Sequence, residues 1–337
     1  MGEQPDIAAT LSSWAPHALT LAAALLALAL MLRFAIPRGR SRPVRTKVLL
    51  RALLPARIVR SPSGRADIAW FLFGVLFSAS ALGWALWSGE WFAGHMLRGL
   101  HMLFGSPAPI AAPAWVAGTV MTLMLFTAYE FAYWLNHSLS HRVGWMWEFH
   151  KVHHTAESLT PLTNFRVHPV DTILFFNMAA ASAGIAMALV HFAFGRVGGG
   201  FLIHGANALT FLATIIFTYL QHSHLWISLP GGAGRWLLSP AHHQIHHSVE
   251  ERHHDRNFGS TLAIFDRIFG TLHLPAAKRE RLRFGVDGIA YDPHGPTGAV
   301  LMPFADAARR IATSIETKKE GGASPDHPLQ SLRENAN

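Results

Sequence analysis

The sequence predicts an all-α fold: a multi-pass bundle of transmembrane helices with a histidine-rich cap on its cytoplasmic side. Three observations lead there. The 337 residues are 50% hydrophobic and only 14% charged, about half the charge of an ordinary soluble domain. Five apolar runs approach the roughly 20 residues that a helix needs to cross a bilayer. Histidine, 22 residues in all, concentrates between His137 and His254 in clusters that border those runs.

The runs are approximately Ala18 to Leu32, Ile68 to Trp87, Trp115 to Leu135, Thr172 to Phe194 and Gly200 to Leu220. The first is preceded by Glu3 and Asp6 and followed by basic residues, the reverse of a cleaved signal peptide, so it reads as an uncleaved anchor. From Arg33 to Arg65 the chain carries ten Lys or Arg and no Asp or Glu, which the positive-inside rule assigns to the cytoplasm. This basic stretch lies between two spans and has no nucleic-acid motif. Lipid headgroups are its expected partner, and no nucleic acid is. Threading the spans from that loop puts Ser88 to Ala114 outside, His137 to His154 inside, a short outer turn near Arg196 to Gly199, and everything after about Gln221 inside. All the histidine clusters then share the cytoplasmic face of what is expected to be a bacterial inner membrane.

The chain divides into an anchor helix with a basic loop (1–67), a second span with an outer loop (68–118), a histidine-bearing domain (119–273), a cytoplasmic C-terminal segment (274–313) and a polar tail (314–337) expected to be disordered. Pro161, Pro169, Pro230 and Pro240 separate the clusters into distinct helices.

The clusters are His137 and His141; His150, His153 and His154; and His243, His246 and His247, with His242 preceding the last. Spacings of three and four stack side chains on one helical face, so each cluster can aim several imidazoles at one point. Imidazole suits transition ions, whereas magnesium and calcium prefer oxygen. Eight spaced ligands exceed what one ion uses, which makes the cap a di-metal cap. His222, directly after the fifth run, is a further candidate, with His224 beside it. His168, in Asn164-Phe-Arg-Val-His-Pro-Val-Asp171, is either a ligand or a group that orients one. Without cysteine, disulfides, thiolate zinc sites and iron–sulfur clusters are excluded.

In order, HxxxH, HxxHH, His-Pro-Val-Asp, a histidine after the last span, and HxxHH followed by Asn257-Phe-Gly259 and Phe265-Asp-Arg-Ile-Phe-Gly-Thr271 resemble the membrane-bound fatty acid hydroxylase and sterol desaturase superfamily. The likeness runs from about Thr119 to His273 and lies nearest the alkylglycerol monooxygenase and bacterial sterol desaturase-like branch. The resemblance implies a non-haem centre of two Fe ions that uses O2 to attack a C–H bond of a lipid: fatty acyl, sterol, ether lipid or an aminolipid such as ornithine lipid. It implies His137, His141, His150, His153, His154, His222, His243, His246 and His247 as iron ligands, with Asn257 and Asp266 in support. No fused cytochrome b5 signature is visible, so a separate ferredoxin or cytochrome b5-like donor is expected.

Four rival readings make distinct demands. A desaturase uses the same centre but removes a second hydrogen. A metal transporter needs ligands deep within spans, where only Glu130, His191 and His204 sit. A bis-histidine haem protein would leave most of the HxxHH ligands unused. A zinc hydrolase would activate water instead of O2, although no HExxH motif is present.

Overall fold

The computed structural model describes residues 54–74, 86–203, 205–229 and 232–319. The expected first span, most of the basic loop, the middle of the second span, His204 and the end of the tail lie outside the described residues.

The first long helix, α1 (Pro62–Phe73), starts where Ser61 accepts a hydrogen bond from Gly64 N at 3.0 Å and Pro62 presets the first turn. It buries Asp67 and Trp70 against the rest of the molecule. α2 (Gly89–Phe104) occupies what was expected to be an outer loop. Sixteen residues, about 24 Å of helix, are too few to span a bilayer, so the apolar-run criterion passed over it. Its stability comes from lying against α5 (Pro169–Phe194). At Gly184 of α5 a Cβ would sit 2.4 Å from Phe92 Cβ and 2.7 Å from Gly89 O, so only glycine permits the contact.

Among the described residues, two helices are long and apolar enough to cross a membrane, α3 (Ala114–Arg142) and α5. At 29 and 26 residues they extend about 44 and 39 Å, against about 30 Å of hydrocarbon. Only 22% of each apolar window is covered by protein, unlike the core helix of a soluble domain. They pack side by side, with the C-terminal end of α3 and the N-terminal end of α5 meeting at the histidines. α4 (Gly144–His154) follows α3 after the extended residue Val143.

The expected fifth span is shorter than its apolar run. The chain forms a small hairpin, Leu202–Ile203 paired with Ala206–Asn207, and only then the 14-residue α6 (Ala208–Gln221). The cause is local: Gly200 and Gly205 adopt positive φ, and the Asn207 side-chain Oδ1 accepts from Leu209 and Thr210 N at 3.1 Å, starting the helix late. Phe201 N donates to Thr122 Oγ1 and Asn207 Nδ2 donates to Thr122 O, pinning the hairpin to α3.

α7 (Pro240–His246) and α8 (Ile264–Ile268) are short, and α9 (Met302–Lys319) packs along α4. That helix corrects the expected tail boundary, since it continues through Ser314 to Lys319. Its polar residues there, Glu316 and the lysines, are good helix formers, and composition alone did not separate helix from disorder.

Candidate metal centre

Nine of the predicted ligands form two buried groups. His137, His141, His150, His154 and His246 make the first, and His153, His222, His243 and His247 the second; within each, one ring nitrogen per residue lies within 4.8 Å of all the others. The sequence spacing explains the placing. α3 delivers His137 and His141 one turn apart, and α4 sends His150 and His154 to the first group but His153 to the second. α7 and its C-cap divide His246 from His243 and His247 in the same way. Each HxxHH motif therefore serves both groups.

The nitrogens stand at the spacing of a coordination sphere. Nε2 atoms face one another at 3.1 Å for His141 and His154, 3.2 Å for His246 and His154, 2.9 Å for His222 and His153, 2.8 Å for His243 and His222, and 3.1 Å for His247 and His243. Two ligands at right angles around an ion about 2.1 Å away are about 3.0 Å apart.

The opposite ring nitrogens decide which way each proton points. Nδ1 of His137 donates to Phe258 O at 2.8 Å, His246 Nδ1 to Arg256 O at 2.8 Å and His153 Nδ1 to Arg166 O at 3.2 Å, while His150 Nδ1 lies 2.8 Å from Asp171 Oδ2. Carbonyls and carboxylates accept only, so in these four rings Nε2 carries the lone pair, aimed inward. Nε2 of His137 and of His150 are buried with no hydrogen-bond partner among the described residues. A divalent ion satisfies such an array. Burial supplies the neutral form: it holds His153, His154, His243 and His247 well below the ordinary value of 6.5 and pushes His222 and His246 down to about 3.

The remaining predicted residues build the surroundings. Asp266 accepts from Phe258 N and Gly259 N, both at 2.9 Å, and from Thr271 Oγ1 at 2.6 Å, fixing the loop whose carbonyl orients His137. Asn257, at φ 58°, donates to His242 O and His273 O and accepts from His273 N. His242 is not in either group: its Nδ1 engages Ser239, and its Nε2 donates to Gly234 O at 3.1 Å. His168 is likewise apart, capping α5 by accepting from Val170 N while Nε2 donates to Val300 O. His224 belongs to neither group.

Several contributors went unread in the sequence. Asp171 stands in the His-Pro-Val-Asp motif, yet 21 residues separate it from His150, and no local pattern links them. Arg166 is fully buried, donating to Asp67 on α1, to Val152 O and to Thr155 as its own carbonyl orients His153. Glu130, within α3, accepts from Thr261 N and Leu262 N and so clips the Phe258 loop to the helix.

A cavity of about 320 Å³ adjoins both groups, touching His137 and His150 of the first and His153 and His222 of the second. Its walls are mostly aromatic and apolar, among them Trp70, Tyr129, Tyr133, Phe165, Phe175 and Phe176. Tyr129 and Tyr133 have two roles: each ring meets Phe175 edge-on and also lines the cavity. Trp134 points elsewhere, stacked on Phe269 at 4.2 Å.

Residues 122–271 match the family model for fatty acid hydroxylase. Over 167 residues the chain is 25% identical to alkylglycerol monooxygenase of Xenopus tropicalis, covering 48% of this chain and 32% of that one. Against the Homo sapiens alkylglycerol monooxygenase the identity is 24% over 164 residues, with the same two coverages. An ornithine lipid hydroxylase of Rhizobium tropici is 27% identical over 146 residues, covering 43% of this chain and 40% of that one. The chain thus spans about a third to two fifths of the length of these relatives. No solved structure matches. The stretch that matches the fatty acid hydroxylase model, residues 122–271, holds all nine grouped histidines and the loop that orients them.

Proposed function

We propose that this chain is a membrane-bound non-haem di-iron oxygenase that hydroxylates a C–H bond of a lipid, with O2 as co-substrate and electrons from a separate ferredoxin or cytochrome b5-like carrier. The observation that carries the reading is one cavity bordered by imidazoles of both groups, so that one alkyl segment seated there lies against both candidate metal positions. The relatives are named as a monooxygenase and a hydroxylase of lipids, which favours oxygen insertion over desaturation.

Two iron ions held by the nine imidazoles would supply O2 activation and the oxidant for C–H cleavage. The protein's own work is positional. Nδ1 donors fix the rings, and burial keeps them neutral ligands at pH 7. Aromatic walls keep water from a reactive centre and hold the substrate chain in line with it. The cavity lining includes Asp171 but no described Lys or Arg, so an anionic lipid end stays outside while apolar or neutral carbon approaches the imidazoles. The bilayer is the expected source of substrate. The basic residues between Arg33 and Arg65 favour a site on the cytoplasmic side.

The test is an assay of the purified, iron-loaded protein with a membrane lipid extract, a ferredoxin reductase and ferredoxin, and 18O2. Lipid gaining one labelled oxygen is the expected product, and the zinc-loaded protein is expected to be inactive. Lipid that has lost two hydrogens would assign desaturation instead, and an unchanged extract with no O2 consumed would overturn the reading.

A further inference from the structure

We propose that Asp171 is the positioning residue that makes the two metal positions unequal, so that an ion in the five-histidine group is held more tightly than one in the four-histidine group. The inference rests on the di-metal reading above and concerns what distinguishes its halves.

The two groups are supported differently from outside. In the five-histidine group three rings are pinned through Nδ1: His137 by Phe258 O, His246 by Arg256 O and His150 by the Asp171 carboxylate, each at 2.8 Å. In the four-histidine group Arg166 O holds His153 at the longer distance of 3.2 Å, and Nδ1 of His222, His243 and His247 is buried without a partner among the described residues. A ring whose far nitrogen is held loses little freedom on binding metal. One that is not must be ordered by the metal itself.

Asp171 adds charge to this difference. It is buried in the first turn of α5, where helix N-termini favour a carboxylate. Its Oδ1 lies 3.5 Å from Asn136 Nδ2, and Oδ2 takes His150. A carboxylate on the outer nitrogen of a ligating imidazole fixes its tautomer and raises its basicity. Here it also brings negative charge next to a cation in a desolvated site, where neutral rings contribute none. The contacts His153 makes to a backbone carbonyl provide orientation without that charge.

The experiment uses the full chain in detergent, stripped of metal, reloaded with Co2+ and titrated with EDTA, with bound metal and visible absorption followed together. The wild type is expected to release its two ions in separate steps. His222→Ala should remove the easily released ion, identifying it with the four-histidine group. Asp171→Asn keeps the shape but not the charge; it should leave the easy step in place, weaken the tight one about 10–100-fold and shift its absorption band, while Asp171→Glu restores part of the loss. Release of both ions in one step by the wild type overturns the proposal without any variant, and so does a tight step unmoved in Asp171→Asn. A wild type that takes up no Co2+ overturns the metal-centre reading itself, a result distinct from two ions bound with Asp171 immaterial.

Discussion

Six of the grouped histidines, candidate metal ligands, also tie the fold to pH. Burial pushes His222 and His246 down to about 3 from 6.5, and lowers His153, His154, His243 and His247 in the same direction. The unfolded chain therefore takes up protons below pH about 6.5 that the folded chain refuses, and stability falls as pH drops from there. The metal-free protein is expected to keep its thermal midpoint above pH 7 and lose it steeply between pH 6.5 and 5, as followed by circular dichroism. Iron bound at the same nitrogens should shift that loss to lower pH. His153→Ala or His246→Ala, each removing one ligand, is expected to reduce lipid oxidation more than about 100-fold and to lower bound metal, with membrane insertion unchanged. The HxxHH spacings made these candidate ligands legible, because a three-and-four repeat fixes a helical face. What orients them was not legible: the carbonyls of Phe258, Arg256 and Arg166 carry no residue identity, and Asp171 meets His150 only after the chain has folded back through Pro161–Phe165. His168 and His242 show the same limit, since their roles as a helix cap and a turn brace depend on where Val300 and Gly234 come to lie.

Helices α4 and α9 are joined by buried charge beside the edge-on contact of Phe149 with Phe304, and this joint braces the His150–His154 segment. Lys151, 4% exposed at its side chain, pairs with Glu148 on its own helix and with Asp306 of α9; Arg310 of α9 bonds Glu148 at 2.9 Å, and Tyr291 donates to Asp306. Removing a charge from such a buried set strands its partners. Lys151→Met is expected to destabilise the protein by about 3 kcal/mol and to loosen α9, measured by thermal unfolding and by protease cleavage of the C-terminal helix. Arg309→Ala, at a side chain 67% exposed, should change stability by less than about 0.5 kcal/mol. Gly184→Leu tests the other helical joint: the new side chain meets Phe92 and Gly89 and should force α2 off α5 at about 1–3 kcal/mol, with metal content retained because no ligand touches that contact. Apolar length identified α3 and α5 in the sequence because each is long and exposed to what surrounds the protein. It overlooked α2, whose helix depends on a glycine-to-backbone approach, and overextended α6, whose start is set by Asn207 and two glycines rather than by hydrophobicity.

At the scale of the whole molecule, the two histidine groups sit where the ends of α3 and α5 converge, and the cavity opens between them and α1. Phe176 marks the mouth: it lines the cavity and yet is 49% exposed, on a helix whose apolar surface is largely uncovered. A lipid entering sideways from the bilayer would pass this ring. Phe176→Trp is expected to narrow the entrance without disturbing the centre, raising KM for a long-chain lipid about tenfold, some 1.4 kcal/mol, while kcat at saturation and bound iron stay near wild type. Phe176→Ala should act oppositely on bulky substrates. Phe175, whose ring is held by Tyr129 and Tyr133, supplies the contrast: Phe175→Ala enlarges the cavity from within and is expected to cost about 3 kcal/mol of stability, with product positions shifting along the chain. If KM is unmoved by Phe176→Trp across lipids of increasing length, substrate does not enter between α5 and α1, and the lateral route is wrong even though the metal groups and the cavity remain as described.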